Sequence, residues 1–233
     1  QVGQLLPKIR GRNNIPLLVG GTGLYVQSIV DPYHFEVVPT DWKFREKLHQ
    51  EAKDFGNEYV HSKLFQVDPI TANKLHPNDL RRIIRALEVF EKTGHPIWYN
   101  HFQKHTNYIN STNLVGLTMP RHLLYEQIEK RVDIMIATGF IDEVKELLDS
   151  GFGQNLPSMQ SLGYKQIVSY LVGEITLEQA IHLIKRDTRR FAKRQLTWFR
   201  RDKRIKWYVV GDATDKKKLT QEIATEFGRS IGT

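Results

Sequence analysis

The sequence predicts an α/β fold that carries an all-helical insertion. Three observations lead there. The apolar run Ile15-Pro16-Leu17-Leu18-Val19 ends in a glycine turn, Gly20-Gly21-Thr22-Gly23, that feeds an apolar helix, the βα geometry of a parallel sheet. Helical periodicity then runs from Asp41 to about Glu91 with no strand to interrupt it. Strand-like segments return at Leu114–Thr118 and Ile205–Val210.

Taken in order, Val2 to Arg10 reads as a helix stopped by Gly11-Arg12-Asn13-Asn14, and Ile15 to Val19 as a buried strand. The helix after the glycine turn spans Leu24 to about Val30, and Pro32 and Pro39 break the segment beyond it. Four helices are expected next, at Asp41–Asp54, Asn57–Phe65, Pro69–Leu75 and Asp79–Lys92, the last stopped by Thr93-Gly94-His95-Pro96. His101 to Thr112 is polar and aperiodic. Beyond the strand at Leu114, helices resume at His122–Ala137 and Ile141–Asp149. After a turn around Pro157 they continue at Tyr164–Leu171 and from Thr176 to about Arg200, with Thr176 as N-cap and Gln179 three residues on. A closing helix covers Lys216–Phe227. The expected division is a core of residues 1–37 and 113–233, with residues 38–112 as the insertion.

A chain of 233 residues, 40% hydrophobic, can bury a core and support a second small domain. No apolar run approaches the roughly 18 residues of a membrane span, so no membrane association is expected. Gln1-Val2-Gly3-Gln4 lacks the basic and apolar regions of an export signal. The absence of cysteine excludes disulfides, thiolate zinc sites and cysteine nucleophiles, and agrees with a cytoplasmic location.

Charge is concentrated in one place. Between Lys185 and Lys206 stand eleven Lys or Arg against Asp187 and Asp202, a net +9 in a chain whose total is +8, which leaves −1 for the remainder. Such a stripe suits a polyanion, although a solvated helix face would read the same. Within that helix Ile181, Ile184, Thr188, Phe191, Gln195 and Trp198 share one face, and Arg186, Arg190, Lys193, Thr197 and Arg200 another. One side can pack while the other meets phosphate. Trp198 or Phe199 could stack on a base or simply pack.

Other residues admit two readings each. Leu124, Ile128, Arg131 and Met135 recur at helical spacing, which sets Arg131 in an apolar stripe and demands an anionic partner, either a structural carboxylate or a ligand phosphate. The glycine turn permits positive φ or close approach of a backbone or ligand, with the Thr22 hydroxyl at the mouth of the following helix. Arg81, Arg82 and Arg85 form a second basic cluster beyond an Asn78 cap, which serves an RNA or pairs with Glu88. No His-Glu-x-x-His, calcium loop or Gly-x-x-x-x-Gly-Lys-Ser/Thr occurs, and no protein-only metal site is expected.

The segments Gly20–Tyr25, Asn78–Val89, Leu162–Lys165 and Thr188–Trp198 follow one another in this order. Together they resemble the tRNA dimethylallyltransferases of the bacterial type. The resemblance implies a P-loop-NTPase-like parallel core, in which dimethylallyl diphosphate enters one end of a channel and a flipped-out adenine the other. It implies that Arg131 holds the diphosphate and that Thr22 and Arg45 contact tRNA. It extends tRNA contact to Arg81, Arg82, Ile83, Ile84 and Arg85, and to Gln160, Ser161, Leu162, Gly163, Tyr164 and Lys165. The last stretch is Lys193, Arg194, Gln195, Leu196, Thr197, Trp198, Phe199 and Arg200.

The implied partners are the tRNA anticodon stem-loop and dimethylallyl diphosphate, with Mg2+ carried by the diphosphate and the protein acting as a monomer. The family's phosphate-binding loop and proton-accepting aspartate are not among these 233 residues, so the chain is expected to be an incomplete copy, inactive in transfer when alone. A related transferase that prenylates a free nucleotide is a rival, disfavoured by the two long basic stretches. A non-catalytic RNA-binding module is another; it would need neither Arg131 nor Thr22.

Overall fold

The computed structural model describes residues 1–31, 38–97, 99, 112–211 and 214–231, with side chains through residue 226. Of the stretch read as aperiodic, His101–Thr112, all but Thr112 lies outside the described residues. The chain divides into two compact units, residues 1–18 with 24–110 and residues 19–23 with 111–233.

The first unit is helical: α1 (Val2–Arg10), α2 (Gly23–Val30), α3 (Trp42–Phe55), α4 (Asn57–Val67), α5 (Pro69–Ala72) and α6 (Leu80–Thr93). Its boundaries follow from capping chemistry. The Asp41 carboxylate accepts from the Phe44 N–H at 3.0 Å and starts α3. Asp68 does the same for Thr71 at 2.9 Å, with Pro69 as first residue of α5. Gly94, at φ +71°, ends α6 in the left-handed conformation. On α6, Leu80, Ile83, Ile84 and Leu87 make one stripe at the i, i+3, i+4, i+7 spacing. Ile83, Ile84 and Leu87 pack with Leu48 and Ala52 of α3 and Val60 and Leu64 of α4 to form the core.

The second unit holds β1 (Val115–Thr118), α7 (Arg121–Ala137), α8 (Phe140–Asp149), α9 (Tyr164–Leu171), α10 (Leu177–Phe199), β2 (Lys206–Val209) and α11 (Lys216–Ile231). β1 and β2 pair in parallel from Val115 with Lys206 to Thr118 with Val209, and helices α7 to α10 supply the crossover a parallel pair requires. Gly116 is obligatory in that pair, since a Cβ there would lie 2.6 Å from the Trp207 ring. Val132, Phe140, Val144, Met159, Ile167, Val168, Ala180 and Ile184 form the core beneath the helices. The fold is thus α/β and rich in helix. No helix among the described residues is long and apolar enough to cross a membrane.

One expected element is absent. Ile15–Val19 has no regular secondary structure, and Ile15, Leu17, Leu18 and Val19 are exposed, Val19 at 83%. A strand exists only through a neighbour's ladder, and among the described residues the sheet consists of β1 and β2 alone.

Candidate nucleic-acid interface

Helix α10 organises the second unit. Its first half is anchored: Ala180 and Ile184 are buried, Lys185 pairs with Asp133 at 2.6 Å, and Arg189 pairs with Glu129 at 2.6 Å, both carboxylates standing on α7. Its N-terminus carries the expected capping box, with the Thr176 N–H donating to Gln179 Oε1 at 2.9 Å and the Gln179 N–H to Thr176 Oγ1 at 3.2 Å. Its second half is open. Lys193, Arg194, Thr197 and Arg200 are exposed, as are Phe191 at 46% and Trp198 at 39%. The apolar face read across the whole helix is buried at Ile184, and beyond Thr188 its Phe191 and Trp198 are partly exposed.

The glycine turn meets this open half. The Gln195 side-chain amide donates to the Gly21 carbonyl at 2.9 Å. A Cβ on Gly21 would lie 2.0 Å from Gln195 Nε2, and one on Gly23 would lie 2.3 Å from the Trp198 indole. None of Gly20, Gly21 and Gly23 has a positive φ; Gly21 and Gly23 provide close approach, whereas a Cβ on Gly20 would meet open space. What approaches is α10. Thr22, between them, is exposed, and Leu196 and Phe199 are half-buried.

The stretch from Gln160 to Lys165 is joined to α10 by a residue that sequence reasoning left out. Gln166 is 4% exposed; its Oε1 accepts from the Gly163 N–H at 2.9 Å and its Nε2 donates to Asp187 Oδ2 at 3.0 Å. Asp187 gathers Arg186 at 2.9 Å and Arg190 at 3.7 Å. The Arg186 hydrogen bond, against the opposing effect of burial and with help from Gln166, holds Asp187 below the usual carboxylate range. Gly163 stands at φ +96°, before α9, and a Cβ there would meet Phe140 at 3.1 Å. Tyr164 donates its hydroxyl to Glu143, which, together with burial, raises the phenol pKa. Gln160, Ser161, Leu162 and Lys165 are exposed around this frame. The signal for Gln166 was its place three residues after a glycine that starts a helix.

Arg131 is not in an apolar stripe. The buried line of α7 runs through Ile128 and Val132, four apart, and Arg131 is exposed beside it. Its sequence neighbours Glu129 and Asp133 are committed to α10, and among the described residues no carboxylate lies within ion-pairing distance of Arg131.

The basic cluster of the first unit separates by role. Ile83 and Ile84 are 0% and 2% exposed, and their side chains pack in the core. Glu88, fully buried, accepts from Arg45 Nε at 2.9 Å, from Arg45 at a second nitrogen at 2.7 Å, from Arg85 at 2.5 Å and from the Asp41 N–H at 2.8 Å. Burial pushes the Glu88 pKa up, but Arg45, the Asp41 N–H and Arg85 outweigh it and lower the value to about 2. Arg82 pairs with Asp79, the N-cap position of α6 in place of Asn78, at 3.0 Å. Arg81 is exposed, with no acidic partner among the described residues.

Among the described residues no group of three His, Cys, Asp or Glu is placed to hold a metal ion.

A family model described as IPP transferase matches residues 1–202. A tRNA dimethylallyltransferase of Carboxydothermus hydrogenoformans is 54% identical over 228 residues, covering 97% of this chain and 72% of the relative. Among solved structures, a tRNA isopentenylpyrophosphate transferase of Bacillus halodurans matches with a TM-score of 0.65 at 38% identity, over 99% of this chain and 73% of that one. A eukaryotic dimethylallyltransferase acting on tRNA matches with a TM-score of 0.75 at 25% identity, over 97% of this chain and 60% of that one.

Proposed function

Because the chain belongs to the IPP transferase family, we propose that it transfers a dimethylallyl group from dimethylallyl diphosphate to the exocyclic amine of the adenine next to the anticodon of tRNA. The observation that carries this reading is the 54% identity to a tRNA dimethylallyltransferase across nearly the whole chain. The open, basic second half of α10 supports tRNA as the acceptor. Lys193, Arg194 and Arg200 offer charge for a phosphate backbone, and Thr197 a hydroxyl. Trp198, 39% exposed, offers a surface on which a base can stack.

In the transfer, the C–O bond to diphosphate breaks as the C–N bond to the amine forms, and the amine loses a proton. Flipping the base out of its stack exposes that amine. Charge accumulates on the departing diphosphate, and Arg131, exposed and without a carboxylate partner among the described residues, is suited to offset it. Mg2+ would arrive with the diphosphate, as part of that substrate. The Gln160–Lys165 and Lys193–Arg200 stretches, with Thr22, Arg81, Arg82 and the half-buried Arg45 and Arg85, are the tRNA-facing residues of this reading. The core would be P-loop-like, and the protein a cytoplasmic monomer.

The acceptor is tested by comparing binding of an unmodified anticodon stem-loop with binding of AMP. A preference for the stem-loop that weakens steeply with salt is expected. AMP bound as tightly as the stem-loop would instead favour a transferase that prenylates free nucleotides.

A further inference from the structure

Trp42 is the first residue of α3 and is 71% exposed. Tryptophan is highly buried on average, because leaving so large an apolar surface in water is costly, so an indole this open makes little contribution to packing. Its position is nevertheless well defined. Asp41 caps the helix immediately before it, and Arg45, one turn on, places its guanidinium carbon 5.6 Å from the centre of the indole. Arg45 in turn is held by two hydrogen bonds to the fully buried Glu88, which also accepts from the Asp41 N–H. One carboxylate therefore fixes both the backbone entering Trp42 and the cation beside its ring.

We infer that Trp42 is a stacking platform for an unpaired nucleobase of the bound RNA. The inference rests on the tRNA reading above and deepens it. An exposed aromatic with a fixed cation beside it is what sequence-tolerant binding of single-stranded nucleic acid uses: the ring stacks on a base and the cation meets the adjoining phosphate. Arg85, on the same buried carboxylate, adds a second positive charge to the site, so that one negative charge holds two positive ones. Rigidity matters because the cost of ordering the side chain is met on folding and is not charged again to binding.

The test is RNA binding by the full chain with Trp42→Leu and Trp42→Phe. The probes are the anticodon stem-loop and the same RNA with its unpaired loop bases made abasic. Trp42→Leu should weaken stem-loop binding by about five- to a hundredfold, Trp42→Phe by less, and neither should move the melting temperature or the slope of affinity with salt. On the abasic probe Trp42→Leu and the unaltered chain should bind alike. Equal stem-loop affinity for Trp42→Leu and the unaltered chain, with preference for an adenine-containing loop retained, would overturn this inference alone. A loss of the same size on the abasic probe would also overturn it. Failure of the folded, unaltered chain to bind the stem-loop would overturn it together with the reading beneath it.

Discussion

The side-chain amide of Gln195 donates to the carbonyl oxygen of Gly21 at 2.9 Å, tying the glycine turn to the exposed half of α10. The turn therefore has a definite partner, and substitutions there separate two costs. In Gly21→Ala the new Cβ meets the tip of a flexible amide, so the expected loss is that of one hydrogen bond, about 1 kcal/mol. In Gly23→Ala it meets the Trp198 ring, and overpacking of about 1–3 kcal/mol is expected. Denaturant midpoints of the two variants should rank in that order; equal midpoints would mean that the indole swings aside without cost.

Glu88 gives the first unit an acid-sensitive anchor. Its pKa is depressed from 4.5 to about 2 in the folded chain, so its contribution is complete above about pH 4.5 and is lost as pH falls from there towards 2. The shift corresponds to about 3 kcal/mol. Glu88→Gln should flatten the fall in stability over that range, as followed by helical signal against pH. Glu88→Ala, which leaves Arg45 and Arg85 without their carboxylate, should cost about 3–5 kcal/mol at neutral pH.

Ile84→Ala should cost about 2–5 kcal/mol, because the side chain is buried between helices of the first unit. Any loss of RNA binding should vanish under conditions that restore folding. Arg81→Ala should behave in the opposite way, weakening stem-loop binding in a salt-dependent manner with its melting temperature unchanged.

Arg131→Ala should change stability by no more than about 0.5 kcal/mol, as an exposed side chain without an ion-pair partner among the described residues. Diphosphate binding should fall by about tenfold or more, the worth of a charged hydrogen bond. Calorimetric titration of the diphosphate and a thermal melt together decide between the two.

Most elements were legible because their signals are local. Thr176 with Gln179 marked the start of α10, and Gly94 the end of α6. What escaped was whatever depends on a distant partner. Ile15–Val19 has strand composition but joins no ladder among the described residues, which composition cannot reveal. Arg131 looked central because periodicity alone does not distinguish three residues on from four, and the structure buries Val132. Gln166 and Glu88 work through side chains of other helices, so their roles became visible only when Asp187 and Arg45 were placed beside them. The Arg85–Glu88 pair was legible from spacing, whereas the convergence of Arg45 on the same carboxylate was not.

The most direct test of the tRNA reading is a titration of the chain, over a range of salt, with an unmodified anticodon stem-loop and with one whose target adenine is replaced by a pyrimidine. Binding that weakens as salt rises and favours the adenine loop is the predicted result. Equal affinity for the two loops, or no binding by the folded chain, would contradict it.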